Sequence, residues 1–209
     1  MIPVQVLALR HIPNASPELT RALGIPREYR SLAMVTTDCD DATYIALDAA
    51  TKAAQVWVAY GRSFYAGAGN ASTPNAGEVL GILAARTPGD AASGMEAALA
   101  TLKTVGFRNL GGVPCLSHTV ASVGSFLAAE AGVNPGSALA YLIAPPLESM
   151  YALDLALKAA DVTLRKLYEP PTETNFGGGL LSGSQAACQA ACAAFARGVE
   201  EVAAQPLGY

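Results

Sequence analysis

Short apolar runs rich in β-branched residues alternate along the chain with segments that have helical spacing. Runs bounded by Gly, Pro, Asn or Asp predict strands, and segments that open on a capping residue predict helices. In the first half this pattern predicts strands at residues 4–10, 31–37, 56–60 and 78–85. It also predicts a short helix at 17–23, a helix capped by Asp40 or Asp41 that runs to Ala54, and a helix from Thr87 to about Lys103.

The second half repeats this order of elements. Strands are predicted at 115–120, 137–144, 162–168 and 178–182, with a short helix after the first strand and longer helices at 148–160 and 184–203. When the first strand of each half is moved to the end, the order becomes βαββαβ, the ferredoxin-like arrangement. The predicted fold class is therefore α+β, with two tandem, circularly permuted ferredoxin-like domains at 1–107 and 108–209.

An internal repeat supports this division. The stretch 31–56 returns at 137–162 with a constant displacement of 106 residues, so that Ala46-Leu47-Asp48 recurs as Ala152-Leu153-Asp154. A repeat of this length indicates two copies of one domain of about 100 residues, not a solenoid of small units. The displacement fails after Val162, because the loop that follows is shorter in the second copy.

Composition points to a chain that associates with other chains. Hydrophobic residues make up 52% and charged residues 14%, below the ~25% charged residues of an ordinary soluble domain. Part of the surface is therefore expected to be buried in an oligomer. The net charge of −4 and the pI near 5.1 argue against nucleic acid as a partner.

Membrane insertion and secretion are not expected either. The apolar run at the N-terminus is too short for a secretory signal, and the Ala-rich segment 186–204 carries charges that favour a buried helix of a soluble protein. Without secretion, the four cysteines (Cys39, Cys115, Cys188 and Cys192) are expected to be free thiols in a reducing cytoplasm.

Motifs for catalysis, metals and cofactors are absent from the sequence. Gly67-Ala68-Gly69 lacks the third glycine of a dinucleotide-binding loop, and no glycine run is followed by Lys-Ser or Lys-Thr. Cys115-x-x-His118 finds a single further histidine, His11, so we predict no metal, no cofactor and no catalytic residue. The group Asp38-x-Asp40-Asp41 is compatible with either a cation site or helix capping.

Two glycine-rich loops are the most informative segments. Residues 61–75 and 169–179 occupy equivalent places in the two copies, and they carry the aromatic residues Phe64, Tyr65 and Phe176. Either could be an ordinary surface loop. Long connections without secondary structure are nevertheless often functional, so both loops are candidate functional segments.

The chain resembles a known family over nearly its whole length, with residues 107–122 as the exception. The strings DCDDATYIALDAATKAA, YGRSFYAGAGNAS, AGEVLGILA, AYLIAPPLESMYALDLALKAADV, PPTETNF and GSQAACQAAC are similar to those of the EutL-type tandem-domain shell proteins of ethanolamine-utilization bacterial microcompartments. The resemblance implies a structural protein rather than an enzyme. It implies a homotrimer with the shape of a pseudohexamer, which tiles with other shell proteins into the microcompartment shell in the cytoplasm.

The resemblance also implies two kinds of site. Loops of both domains would meet at a gated central pore, which assigns Phe64, Tyr65, Gly67, Asn175 and Phe176 to the pore. A second site would bind ethanolamine or a similar small metabolite through Asp40, Glu78, Phe107 and Thr174, where carboxylates can pair with an ammonium group and an aromatic face can attract it.

Two other functions remain open at the level of sequence. A trimeric ferredoxin-like protein that senses a small molecule would need a basic cluster near the loops, where Arg62 is the available cation. A lyase acting on amino alcohols would release ammonia.

Overall fold

The computed structural model of the protein describes residues 1–64, 78–170, 172 and 174–208. They divide into two compact units. The N-terminal unit consists of Pro3–Gly106 together with Gly124–Leu127, and the C-terminal unit consists of Met1–Ile2, Phe107–Val123 and Ala128–Tyr209.

The N-terminal unit is built on a four-stranded antiparallel sheet. Its strands lie in the order β1-β2-β4-β3, with bounds β1 Val6–Ile12, β2 Ser31–Thr37, β3 Val56–Ser63 and β4 Val79–Ala85. Its helices are α1 Pro17–Ala22, α2 Asp40–Ala53 and α3 Pro88–Leu102. Thr87 caps α3 by accepting a hydrogen bond from the Asp90 N–H at 3.1 Å, as expected for the residue before Pro88.

Both faces of the central strands in this unit are covered, which explains their nearly continuous apolar sequence. On one face Val35 and Leu47 of α2 both lie over Gly81 of β4. On the other face Leu32 packs in a cluster with Ala15, Ile25 and further residues of β4. Alternate residues of β2 therefore belong to two different cores.

The C-terminal unit has the same antiparallel arrangement with one additional strand. The order is β5-β6-β7-β9-β8, with bounds β5 Arg108–Leu110, β6 Val113–Val120, β7 Ala138–Ala144, β8 Val162–Tyr168 and β9 Gly177–Gly183. Its helices are α5 Pro146–Ala159 and α6 Gln185–Ala204, and α4 (Ser125–Ala131) contributes its first residues to the N-terminal unit. The core is an apolar cluster that includes Cys115, Leu142, Leu153, Leu181 and Phe195.

The structure confirms the predicted duplication and fold class. The order β1-β2-β4-β3 is repeated as β6-β7-β9-β8, and both ends of α5 lie 106 residues after those of α2. Strands β4 and β9 are 98 residues apart, so the shift falls in the loop before them, as the failure of the repeat indicated.

Several local predictions were wrong. Cys39 is the N-cap of α2 and makes no capping bond with its side chain, while Asp40 and Asp41 lie in the first turn of the helix, where the helix dipole favours negative charge. Strand β3 continues through Gly61 to Ser63, residues that were assigned to the loop. Strand β5 was missed, because three residues are too few to give a periodic pattern.

Candidate functional site

Acidic residues gather at one end of the N-terminal sheet. Asp38 follows β2, Asp40 opens α2, and Glu78 precedes β4. Because β2 and β4 are antiparallel neighbours, Thr37 pairs with Val79, and the Glu78 N–H donates to the Thr37 carbonyl oxygen at 2.7 Å. The pairing of these strands thus brings together carboxylates that are about 40 residues apart in the sequence.

The carboxyl group of Glu78 has a raised pKa. Partial burial raises its pKa from 4.5 to about 7, and the negative charges of Asp40 and Asp38 add to the effect. Asp40 is itself buried, and Asp38 accepts a hydrogen bond from the Gln5 N–H at 2.7 Å. Glu78 can therefore exchange a proton near neutral pH, and a small cation placed beside these carboxylates would stabilise its ionised form.

Two other titratable side chains on α2 and its N-cap stay neutral. Burial raises the pKa of Tyr44 to about 12, although hydrogen bonds with Ser63 oppose the shift. Burial also raises the pKa of the Cys39 thiol, with a smaller contribution from the neighbouring Asp41. Since neither group ionises near pH 7, the negative charge of this region comes from its carboxylates.

The other two predicted ligand residues lie in the C-terminal unit. The ring of Phe107 packs against that of Phe176, with 5.5 Å between the centroids. Thr174 lies in the loop before β9, where its hydroxyl is 3.3 Å from that of Thr172. Thr172 in turn donates to the Phe176 carbonyl oxygen at 3.0 Å. The structure therefore places Phe107 and Thr174 around one loop, with Thr172 and Phe176 between them.

The described part of the predicted pore loops lies in equivalent connections of the two units, at the start of the one between β3 and β4 and at the end of the one between β8 and β9. Phe64 directly follows β3, has an exposed side chain, and donates its N–H to the Glu78 carbonyl oxygen at 2.7 Å. Asn175 and Phe176 directly precede β9, and Asn175 has a left-handed backbone conformation, with φ of 62°. Tyr65 and Gly67 lie outside the described residues.

Metal ligands and thiols suggest no further site. Among the residues that the structure describes, no group of three or more His, Cys, Asp or Glu side chains is arranged to hold a metal ion. All four cysteines are free, and burial raises the pKa of Cys115 to about 12. Within the same residues, no helix combines the length and the apolar character needed to cross a membrane.

Sequence reasoning left two residues out of the site. Asp38 contributes to the raised pKa of Glu78, and its place in the run Asp38-x-Asp40-Asp41 was a usable signal. Thr172 supports the loop that carries Thr174. Its contacts follow from the fold of that loop, so no sequence pattern could have identified it.

Microcompartment shell proteins of known structure share this architecture. No protein-family model matches the chain. The bacterial microcompartment shell protein EutL of Clostridium perfringens is 53% identical, over 100% of this chain and 98% of the relative. The crystal structure of the ethanolamine utilization protein EutL from Leptotrichia buccalis is also 53% identical, with a TM-score of 0.96 over 100% of this chain and 98% of that chain.

A more distant structure shares the fold alone. The trimeric bacterial microcompartment shell protein PduB is 20% identical, with a TM-score of 0.78 over 96% of this chain and 89% of that chain. The duplicated α+β architecture is thus that of the tandem-domain shell proteins of bacterial microcompartments. At 53% identity over its full length, the chain belongs to the EutL family of these shell proteins.

Proposed function

We propose that the protein is a structural subunit of a bacterial microcompartment shell that serves ethanolamine utilization. The observation that carries this proposal is the duplicated domain, combined with full-length similarity to EutL proteins. In this proposal, the domains 1–107 and 108–209 of three copies form a homotrimer with six similar positions. That shape fits a flat layer of hexagonal tiles in which other shell proteins are the neighbours, inside the cytoplasm.

Assembly can be tested with the purified protein. Sedimentation equilibrium is expected to give three times the chain mass of 21.3 kDa. Electron microscopy of the protein expressed with hexameric shell proteins is expected to show sheets or closed shells. A protein that stays monomeric at all concentrations and forms no layer would contradict the proposal.

The two aromatic loops are proposed to line a gated pore for metabolites or cofactors. Phe64 is exposed at the end of β3, and Asn175 and Phe176 stand before β9, in the equivalent connection of the second copy. Tyr65 and Gly67 complete the proposed pore segment. Passage can be measured as product formation by an enzyme enclosed in assembled shells. Phe64→Ala is expected to increase it for substrates larger than water, and an unchanged rate would oppose a role for Phe64.

A small-cation site is proposed at Asp40, Glu78, Phe107 and Thr174. The raised pKa of Glu78 and the buried carboxyl of Asp40 support binding of a compact ammonium ion, since its charge would relieve the repulsion between these acids. Aromatic and hydroxyl groups suit the rest of an amino alcohol. Ethanolamine, or a metabolite of similar size and charge, is the proposed ligand.

Calorimetry with ethanolamine tests this site. Because binding favours ionised Glu78, affinity is expected to rise about tenfold between pH 6 and pH 8, and protons should be released near pH 7. Glu78→Gln should abolish the pH dependence, while Glu96→Gln, on the exposed face of α3, should retain it. Binding to Glu78→Gln with the parent's pH dependence would refute the assignment.

We propose that the protein has no catalytic activity of its own, because its relatives are shell proteins. An assay for ammonia release from ethanolamine is expected to give no signal above buffer. Release that scales with the concentration of purified protein would support a lyase instead.

A further inference from the structure

The short helix α1 and the segment that connects it to β2 border a cavity of about 340 Å³ in the N-terminal unit. This volume is near the lower end of the range of small-molecule sites, which is about 300–1,000 Å³. Three arginines contribute to the cavity, in a chain whose net charge is −4. The lining residues are Pro17, Thr20, Arg21, Ile25, Arg27 and Arg30.

The local fold brings these arginines together. Arg21 lies in the last turn of α1. Gly24 follows the helix with a left-handed backbone, with φ of 68°, so the chain changes direction there. The segment after this turn places Arg27 and Arg30 on the same cavity as Arg21.

The guanidinium group of Arg30 is fixed by the backbone of the segment before α1. Its Nε–H and an N–H of Nη2 both donate to the Ala15 carbonyl oxygen, at 3.3 Å and 2.9 Å. The Ala15 N–H in turn donates to the Arg30 carbonyl oxygen at 2.7 Å. Within the described part of the chain, Nη1 of Arg30 makes no hydrogen bond. Arg30 therefore offers positioned donors that a ligand can use.

Arg21 and Arg27 complete the positive lining. In residues 1–64, 78–170, 172 and 174–208, which the structure describes, neither side chain makes a hydrogen bond or an ion pair. Both side chains are exposed. All N–H donors of these two guanidinium groups are thus available at the mouth of the cavity.

The acidic residues of this stretch are engaged elsewhere. Glu18 accepts a hydrogen bond from the Ser16 hydroxyl group at 3.2 Å, and Glu28 pairs with Arg86 at 3.8 Å. Neither acid lines the cavity. Since no lining carboxylate balances the three positive charges, an anion bound there would offset their mutual repulsion.

We propose that this cavity binds a small organic phosphate. Phosphate oxygens match the planar N–H fork of a guanidinium group, and a dianion balances the charge of more than one arginine. Ile25 is buried and lines the same cavity, so the carbon part of such a ligand has an apolar contact. The ligand has the opposite charge to that of the proposed small-cation site. The inference goes beyond the proposed shell function, which holds whether or not this cavity is filled.

Calorimetric titration of the assembled protein with glycerol 3-phosphate tests the site. Arg21→Gln and Arg27→Gln should each weaken binding at least about tenfold, because each variant loses a charged donor. Lys103→Gln removes the same charge from an exposed position at the end of α3. This control should bind within about twofold of the parent, since a distant exposed charge is screened by salt. Glycerol, which lacks the phosphate, should give no heat of binding.

A conservative variant separates a phosphate site from general attraction of anions. Arg27→Lys keeps the charge and loses the planar fork, so it should bind more weakly than the parent and more tightly than Arg27→Gln. The proposal would be overturned if the parent gave no heat of binding with glycerol 3-phosphate. Equal losses of affinity in Arg27→Gln and Lys103→Gln would overturn it as well.

Sedimentation equilibrium and circular dichroism complete the test. Arg21→Gln and Arg27→Gln should keep the oligomeric state and the fold of the parent, because both side chains are exposed and unpaired within the described part of the chain. Loss of the parent's oligomeric state in either variant would show that the arginine serves self-association, and it would contradict the proposed phosphate site.

Discussion

Replacing Glu78 by Gln should make the protein more stable at alkaline pH. In the native protein, partial burial and then the charges of Asp40 and Asp38 raise the pKa of Glu78 from 4.5 to about 7. Between these two pH values the native state holds the proton more tightly than the unfolded chain does. The contribution of this pKa difference to the free energy of unfolding is fully present below pH 4.5 and is lost as the pH rises through 7. Above pH 7 the ionised carboxylate destabilises the fold, and Gln removes that effect.

The size of the effect follows from the same numbers. The difference between 4.5 and about 7 sets an upper bound of about 3 kcal/mol, at 1.36 kcal/mol for a tenfold change. Glu78 is only partly buried, and solvent screening reduces this to roughly 1 kcal/mol. We therefore expect the stability of Glu78→Gln relative to the parent to increase by about 1 kcal/mol between pH 4.5 and pH 8. In a chain of this size, that is about 2–4 °C in Tm.

Urea unfolding at a series of pH values, at one fixed protein concentration, measures this difference. An effect of Gln on packing that does not depend on pH cancels when the difference in free energy of unfolding between variant and parent is compared at two pH values. Glu96→Gln, on the exposed face of α3, is the matched control and should stay within about 0.5 kcal/mol of the parent at every pH. The electrostatic reasoning would be refuted if the stability of Glu78→Gln relative to the parent decreased with rising pH. It would also be refuted if Glu96→Gln showed the same increase.

Three further outcomes follow from buried groups. Asp48→Ala should cost about 3 kcal/mol in urea unfolding, because it leaves two buried N–H groups without their acceptor, and Asp48→Asn should cost less. Gly198→Ala should lower Tm despite the better helix propensity of Ala, since the new Cβ would be 2.9 Å from the Ala152 Cα. Gly89→Ala should not, since its new Cβ would make an ordinary contact of 3.9 Å with the Thr87 Oγ1. At pH 8 the native thiols should react with Ellman's reagent much more slowly than the four thiols of the denatured chain, because burial raises the thiol pKa values.

Much of the fold could be predicted from the sequence, because buried strands carry a strong signal. The bounds of β2 and β8 agree with the predicted 31–37 and 162–168, since each run is rich in apolar and β-branched residues and ends at a turn residue or a loop. The start of α2 was harder to place. Asp40 and Asp41 are both good capping residues, and the pattern cannot distinguish a cap from a first-turn acid that interacts with the helix dipole.

The site was only partly accessible to such reasoning. The resemblance supplied Asp40 and Glu78 as residues, but their proximity depends on the pairing of β2 with β4, two strands that are not consecutive in the chain. A local sequence pattern carries no information on that pairing. The perturbed pKa of Glu78 is a further step away, because it depends on the burial that results from this arrangement.

The two copies of Ala-Leu-Asp show why duplication alone does not decide what a residue does. Both residues pair with the lysine four positions later, Asp48 with Lys52 at 3.4 Å and Asp154 with Lys158 at 2.6 Å. The exposed pair of Asp154 is worth about 0.5 kcal/mol, whereas Asp48 is buried and also accepts two backbone hydrogen bonds. The same residue on the same helix thus makes very different contacts, because the segment Gly124–Leu127 packs on α2 and donates two N–H groups to Asp48. The connections after β3 and β8 differ in length as well. In the proposed trimer with six similar positions, the threefold character of the tile would therefore reside in these loops.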